Sequence, residues 1–167
     1  MWTEHWADAD GSADFYRVRP RLALIVTRGS LYSSALPELM SRLELVVRDD
    51  STALFWDAGE LLGTHDLGEI AGKLLSSQKA NLSTIACCYE SPMVGVEVSM
   101  MQMSYNISMS MYLSRSAWVE LLGEKYVEVS GRKPERPRSY YYSNLSSASS
   151  SSLRLSSSAS SSSVWRR

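Results

Sequence analysis

The sequence has few of the residues that most often carry chemistry at active sites. Its 167 residues include two histidines, His5 and His65, and two adjacent cysteines, Cys87 and Cys88. The histidines lie far apart, and no Cys/His cluster has zinc-ligand spacing, so we expect no metal site. Adjacent strand residues point to opposite faces, and a disulfide between them is strained. We therefore expect two core thiols with raised pKa in a reducing compartment.

Motifs for phosphate binding and nucleophilic catalysis are also missing. Four glycines, at 59, 63, 68 and 72, are spaced wrongly for a P-loop or a dinucleotide fingerprint, and no Gly-Lys-Ser/Thr follows them. The sequence contains no Gly-x-Ser-x-Gly nucleophile elbow. We therefore expect no catalytic residues and no cofactor, and we predict that the protein is not an enzyme.

Long apolar runs and basic residues are scarce in the first 130 residues. No stretch approaches the ~20 apolar residues that cross a bilayer, and residues 1–6 lack the basic and apolar segments of a signal peptide. We expect a cytoplasmic protein with no membrane partner. Residues 1–130 contain 10 Lys and Arg against 17 Asp and Glu, a net charge of -7. Affinity for nucleic-acid phosphates comes mostly from Lys and Arg. Because this part of the chain is acidic, we expect no nucleic-acid partner.

The end of the chain has a different composition. Residues 131–167 have a net charge of +6, and 15 of the 25 residues from 139 to 163 are serine. The segment has few apolar side chains, so their burial cannot offset the conformational entropy that the segment would lose on ordering. The sequence therefore predicts a flexible N-terminus at 1–13, one α/β domain at 14–129, and a disordered, basic, serine-rich tail at 130–167. A tail that binds an acidic surface or accepts phosphate is a less favoured interpretation.

Between these ends, short apolar runs alternate with amphipathic segments. Apolar runs predict buried strands at 21–27, 52–57 and 82–89, with a leading strand near 14–18 and an edge strand at 107–113. Apolar residues at helical spacing predict helices over about 33–47, 67–75, 92–103 and 117–122. Thr64 and Ser114 are the expected N-caps of the second and fourth helices. The alternation predicts an α/β fold with a small, mostly parallel sheet of four to five strands and crossover helices.

Two features leave other functions open. His65 lies between Asp57 and Asp66 after a buried strand, where parallel sheets bind ligands, and a His beside an Asp can perform acid–base chemistry. This arrangement suits a small enzyme or ligand-binding protein. Methionine, which fills cores and also forms adaptable binding faces, is concentrated in the third helix and fourth strand. A structural or assembly subunit with an oligomer face would use these methionines: Met93, Met100, Met101, Met103, Met109 and Met111.

The order of elements over residues 14–123 resembles a STAS domain, the fold of bacterial anti-sigma factor antagonists. Arg21–Gly29 and Ser33–Val47 resemble the central strand and first helix of the family, and Thr52–Asp57 resembles the strand that ends in an acid before the signature loop. Thr64-His65-Asp66-Leu67-Gly68 falls where the family often has Asp-Ser-Ser-Gly-Leu-Gly. The segments 82–93 and 108–122 resemble the remaining strands and helices.

The resemblance implies a non-enzymatic protein-interaction module of a bacterial signalling or regulatory system. In the family, a partner kinase reads the loop before the second helix, and phosphorylation of a serine there breaks the complex. The implied partner is a kinase-like anti-sigma factor or another regulator, and a homodimer is a further possibility. The family's phosphoacceptor aligns near Asp66, so switching is lost or moved to Thr64. The implied contact loop comprises Asp57, Gly63, Thr64, His65, Asp66 and Gly68.

Overall fold

A six-stranded mixed sheet and four helices make up the part of the chain that the computed structural model describes, residues 1–131. The predicted α/β class is confirmed, with six strands in place of the expected four to five. Short 3-10 turns at Ser33–Ala35 and Lys79–Asn81 complete the elements. The strands are β1 Trp2–Ala7, β2 Gly11–Arg19, β3 Leu22–Gly29, β4 Thr52–Leu61, β5 Leu82–Tyr89 and β6 Ser110–Tyr112, and the helices are α1 Leu36–Val46, α2 Leu67–Ser77, α3 Pro92–Tyr105 and α4 Arg115–Ser130.

The strands lie side by side in the order in which the chain makes them. β1, β2 and β3 pair antiparallel, while β3 to β6 pair parallel through crossover helices. The sheet is therefore mostly parallel, as predicted. β6 is shorter than the predicted strand at 107–113, because only its three residues pair with β5.

The N-terminal segment differs from the prediction. Residues 1–13, expected to be a flexible N-terminus, instead provide β1 and the start of β2. Asp8 closes the hairpin, since its side chain accepts hydrogen bonds from the amides of Asp10 and Gly11, both at 2.8 Å. Trp6 is buried in the core, so an aromatic side chain fastens this strand to the rest of the sheet.

The two faces of the sheet are covered differently. Helices α1, α2 and α3 cover one face, where Cys87 lies, and α4 packs on the other, where Cys88 lies. The prediction that the two thiols point to opposite faces is therefore confirmed. Trp118 of α4 is fully buried, and its indole N–H donates to the carbonyl of Ala86 at 3.0 Å.

Two glycines of α2 allow α3 to pack closely against it. A Cβ at Gly72 would lie 2.3 Å from the Tyr105 ring, and one at Gly68 would lie 3.3 Å from the carbonyl oxygen of Glu97. These residues therefore serve helix packing.

Helix α4 extends beyond its predicted end. The sequence predicts a helix at 117–122, whereas α4 continues to Ser130 because Tyr126 and Val129 still pack against the sheet. Ser114 caps its start as predicted, accepting from the amide of Ala117 at 3.5 Å. Ser130 and Gly131, assigned to the tail by sequence, belong to the end of α4, and the remainder of the predicted tail lies outside the described residues. No helix within residues 1–131 is long and apolar enough to span a membrane.

Candidate functional site

The loops that follow β3 and β4 lie side by side, because the carboxyl ends of parallel strands meet at the same edge of a sheet. Hydrogen bonds fasten one loop to the other. The Asp66 carboxylate accepts from both the amide and the hydroxyl of Ser33, at 3.1 and 2.7 Å. The Thr64 hydroxyl donates to the carbonyl of Leu31 at 2.9 Å, and the Leu62 amide donates to that of Gly29 at 2.8 Å. We call this pair of loops, residues 30–35 and 62–66, the clamped loops.

Thr64 does not cap α2 as the sequence predicts. The helix begins at Leu67, Asp66 occupies the N-cap position, and neither side chain makes a capping hydrogen bond. Partners on the β3–α1 segment replace the local ones, because the Thr64 hydroxyl donates to the Leu31 carbonyl and the Asp66 carboxylate accepts from Ser33. Residues predicted to start a helix thus join two loops.

The Asp66 carboxylate remains charged well into the acid range. Its hydrogen bonds from the Ser33 hydroxyl and amide lower the pKa of Asp66 below its ordinary value. The carboxylate also lies at the N-terminus of α2, where the helix dipole favours negative charge. The clamped loops therefore carry a fixed negative charge at neutral pH.

This lowered pKa predicts how the loops respond to acid. Because the pKa of Asp66 is lowered in the folded protein, its ionised carboxylate stabilises the clamp at pH values above the ordinary aspartate pKa. This stabilisation is lost as the pH falls through the pKa of Asp66 in the folded protein. We expect the Ser33 amide resonance to titrate with a midpoint below about 3.9, the ordinary value, in an NMR pH series. An Asp66→Asn variant should remove this titration. A midpoint at or above the ordinary value would contradict the assignment.

Apolar side chains are exposed on the clamped loops. Leu62 and Tyr32 expose 59% and 42% of their surface, and His65 beside them is also exposed. Gly63 lets the second loop lie against the start of α3, since a Cβ there would lie 2.9 Å from the Cβ of Met93. The surface therefore combines two large apolar side chains, an imidazole and a carboxylate on an ordered backbone.

Asp57 does not belong to this surface, although the sequence places it at the start of the loop. β4 continues to Leu61, and Asp57 is 1% exposed within the strand. Its carboxylate accepts from the Gly59 amide at 3.0 Å and forms an ion pair with Arg115, the first residue of α4. Burial opposes the charge of Arg115, but the hydrogen bond and charge of Asp57 outweigh it and raise the guanidinium pKa. Asp57 therefore fastens α4 to the sheet.

A second ion-pair group lies on the same face of the sheet as Asp57. Asp14 accepts from His5 at 2.6 Å and from Arg28 at 2.7 Å, and Arg28 lies 3.2 Å from Glu60. The register places Asp14 opposite Val26, and Val26 opposite Asp57. These pairs join neighbouring strands along the part of the face nearest the carboxyl edge.

The structure places His65 beside Asp66 but not beside Asp57. Among residues 1–131, no hydrogen bond joins His65 to Asp57 or Asp66, and Asp57 is buried against Arg115. Burial raises the pKa of the Cys88 thiol to about 11 and raises that of Cys87 as well, so neither is a thiolate at neutral pH. The described part of the chain contains no group of three His, Cys, Asp or Glu suited to a metal ion.

The sequence interpretation missed the β3–α1 half of the surface. Leu31, Tyr32 and Ser33 follow the first buried strand, just as the predicted loop follows the second. The available signal was the topology itself, since adjacent parallel strands place their following loops together. The local pattern of Leu31-Tyr32-Ser33 carries no such signal.

Comparisons with known proteins give one structural likeness. No protein-family model matches the sequence, and no curated protein matches it. A solved structure described as an anti-sigma factor antagonist from Mycobacterium paratuberculosis is similar, with a TM-score of 0.45 and 14% sequence identity; the alignment covers 72% of this chain and 92% of that one.

Proposed function

We propose that this chain is a non-enzymatic protein-interaction module of a bacterial signalling or regulatory system, and that the clamped loops bind its protein partner. The observation that carries the proposal is the clamp itself. Asp66 and Thr64 hold two loops together and thereby present exposed Leu62 and Tyr32 beside a fixed carboxylate. Exposed apolar side chains beside polar ones are typical of interaction surfaces.

The ordering of the loops supports binding. A surface that is already held in one arrangement loses less conformational entropy when a partner binds. Tyrosine is common among the residues that contribute most to binding energy, and Tyr32 is exposed at the rim of the clamp. The partner class that fits the resemblance is a kinase-like anti-sigma factor or another cytoplasmic regulator.

The proposed module differs from its family in regulation. By the resemblance, Asp66 aligns near the family's phosphoacceptor, and its carboxylate already accepts a hydrogen bond from Ser33, so the surface carries a negative charge at neutral pH. Thr64 is the candidate phosphoacceptor in its place. A phosphate on Thr64 would remove the donor to Leu31 and add about two negative charges beside Asp66. Phosphorylation would therefore open the clamp and release the partner.

Quantitative pull-down from a bacterial lysate with the full chain as bait tests the proposed surface. Leu62→Asp, His65→Ala and Asp66→Arg variants each change one side chain of the clamped loops. We expect Leu62→Asp and Asp66→Arg to reduce recovery of the partner at least about tenfold, the effect of losing one strongly contributing contact, and His65→Ala to reduce it less.

The matched control is Ala117→Arg, an exposed position of α4 on the other face of the sheet. This variant should recover the partner at the wild-type level, and circular dichroism should show that all variants are folded. Equal recovery by wild type, Leu62→Asp and Asp66→Arg would contradict the proposal that the clamped loops bind the partner.

A further inference from the structure

The edge of the sheet that carries the clamped loops is acidic. Five solvent-accessible carboxylates lie on it: Asp8, Asp10, Glu60, Asp66 and Glu90. The turn with Asp8 and Asp10 lies against the first clamped loop, because the Ser30 amide donates to the Asp10 carbonyl at 2.9 Å. Glu60 is the second residue before the other clamped loop, and Glu90 directly follows β5, whose carboxyl end meets the same edge.

The guanidinium groups beside this edge do not balance its charge. Arg28 and Arg115 each form an ion pair with a nearly buried carboxylate of the sheet face, Asp14 and Asp57 respectively. Each arginine also lies near one of the exposed glutamates, at 3.2 and 3.9 Å. These residues together contribute seven negative charges and two positive ones. A ligand of the clamped loops should therefore be basic, since complementary charge favours one partner over another.

Basic residues of this chain are concentrated beyond α4. Residues 132–167 contain seven of its 17 Lys and Arg and one acid. Two of the seven lie in the sequence Val164-Trp165-Arg166-Arg167, which we call the 164–167 segment. It combines two apolar side chains with two guanidiniums, whereas the clamped loops expose Leu62 and Tyr32 among carboxylates. The segment and the surface are therefore complementary in both apolar character and charge.

We propose that the 164–167 segment binds the clamped loops of its own chain and thereby competes with the protein partner. In this arrangement the Trp165 ring packs on Leu62 and Tyr32, and the two arginines pair with carboxylates of the edge. Trp and Arg are enriched among the residues that contribute most to binding energy. The competition rests on the proposed function of the clamped loops, whereas the intramolecular contact does not.

The length of chain that joins α4 to the segment suits this contact. α4 begins at the acidic edge, where Arg115 pairs with Asp57, and ends near the opposite edge, where Tyr126 accepts from Arg19. Its 16 residues span about 24 Å, which is roughly the distance that the connection must bridge. The 32 residues from 132 to 163 are rich in serine, and a flexible linker of that length has an r.m.s. end-to-end distance of about 30 Å.

Tethering and charge select this occupant over others. A linker whose r.m.s. length matches its span gives an effective concentration of about a millimolar, which exceeds that of a typical free competitor. A second copy of the domain is disfavoured at this edge, because residues 1–130 have a net charge of -7 and two acidic edges repel each other. Residues 131–167, with a net charge of +6, supply the opposite charge.

Paramagnetic relaxation measured by NMR on the full chain tests the contact. A nitroxide label on the Ser162→Cys variant should broaden the amide resonances of Tyr32 and Leu62. The native thiols should not take up the label, because both are buried and their pKa values are raised. Adding Trp165→Ser, or Arg166→Glu together with Arg167→Glu, to the labelled chain should remove most of this broadening.

Matched variants control for changes of composition and charge. Tyr141→Ser also removes an aromatic side chain from the sequence beyond α4, and it should leave the broadening unchanged. Asp10→Lys reverses an exposed charge on the acidic edge and should weaken the broadening, whereas Glu120→Lys makes a similar reversal on the exposed side of α4 and should not. The dispersion of the amide resonances shows whether each variant is folded.

Three results would overturn the intramolecular contact. The first is a labelled chain in which the clamped loops are not broadened. The second is broadening that survives both the Trp165→Ser change and the double arginine change. The third comes from mixing labelled chain with isotope-enriched chain that carries no label. If the loops of the enriched chain are broadened as strongly in this mixture as in a chain that carries both, the segment comes from a second copy.

Pull-down of the partner tests the competition separately. If the segment occupies the loops in about four chains of five, the double arginine variant should bind the partner about fivefold more tightly than the wild type. Unchanged partner affinity in this variant would overturn the competition. Equal recovery by Leu62→Asp, Asp66→Arg and the wild type would instead contradict the proposed function, and the labelled chain would still report whether the segment contacts the loops.

Discussion

Replacing Trp118 with alanine is expected to lower the free energy of unfolding by about 4 kcal/mol, a large fraction of the stability of a typical domain. The side chain is fully buried, packs edge-on against Phe55 at 5.7 Å between ring centroids, and donates to the Ala86 carbonyl. The substitution leaves a cavity and a buried carbonyl that loses the indole donor. Urea unfolding followed by circular dichroism measures the loss as a shift in the midpoint.

Trp2→Ala is the matched control for Trp118→Ala. Trp2 is 39% exposed and contacts the Arg48 guanidinium, which lies 5.7 Å from the ring centroid. An exposed cation–π pair contributes about 0.5–1 kcal/mol, so the control should lose about that much. Similar losses in the two variants would show that α4 contributes little to holding the domain together.

Replacing Asp57 with alanine is expected to cost about 3 kcal/mol. Removal of one partner from a buried ion pair leaves the other charge without its compensating group. Arg115 retains Glu90 at 3.9 Å, and its side chain is 40% exposed, so the cost lies at the lower end of the range for buried pairs. The Gly59 amide also loses its acceptor. Chemical unfolding measures the change.

Glu60→Ala controls for the loss of a carboxylate from the same strand. Glu60 pairs with Arg28 at 3.2 Å, but its side chain is 65% exposed, and exposed ion pairs contribute at most about 1 kcal/mol. The control should therefore change stability far less than Asp57→Ala does. If the two variants lose equal stability, Asp57 is not the residue that fastens α4 to β4.

The buried strands and crossover helices could be predicted because their signals are local. β3 and β4 contain continuous apolar runs near their starts, and β5 contains one from Ile85 to Cys88; such runs are typical of strands covered on both faces. The helices repeat apolar residues at helical spacing, and Pro92 begins α3 as predicted. β1 was missed because its residues are mostly polar or aromatic and exposed. Its stability comes from pairing with β2 and from the burial of Trp6.

The site was predicted only in part because its contacts cross the chain. Asp57 was interpreted as the last residue of a strand, since an acid after an apolar run normally marks a boundary with solvent. Arg115, 58 residues later, allows the carboxylate to remain inside the sheet. The bond from Ser33 to Asp66 joins residues 33 apart. Neither pairing leaves a trace in the local sequence, whereas the choice of the loop before α2 followed from topology and from the family resemblance.

The order of the strands has a consequence for synthesis. Each strand of the sheet takes its place beside the strand made just before it, so a growing chain can extend the sheet from one end without rearranging it. α4 is synthesised last, and within residues 1–131 it is the helix that covers the sheet face with Leu24, Phe55 and Ala86. This face is therefore uncovered until α4 has left the ribosome. A nascent chain stalled before Arg115 would therefore expose a broad apolar sheet surface, the kind of surface that chaperones bind and that aggregates when left unprotected.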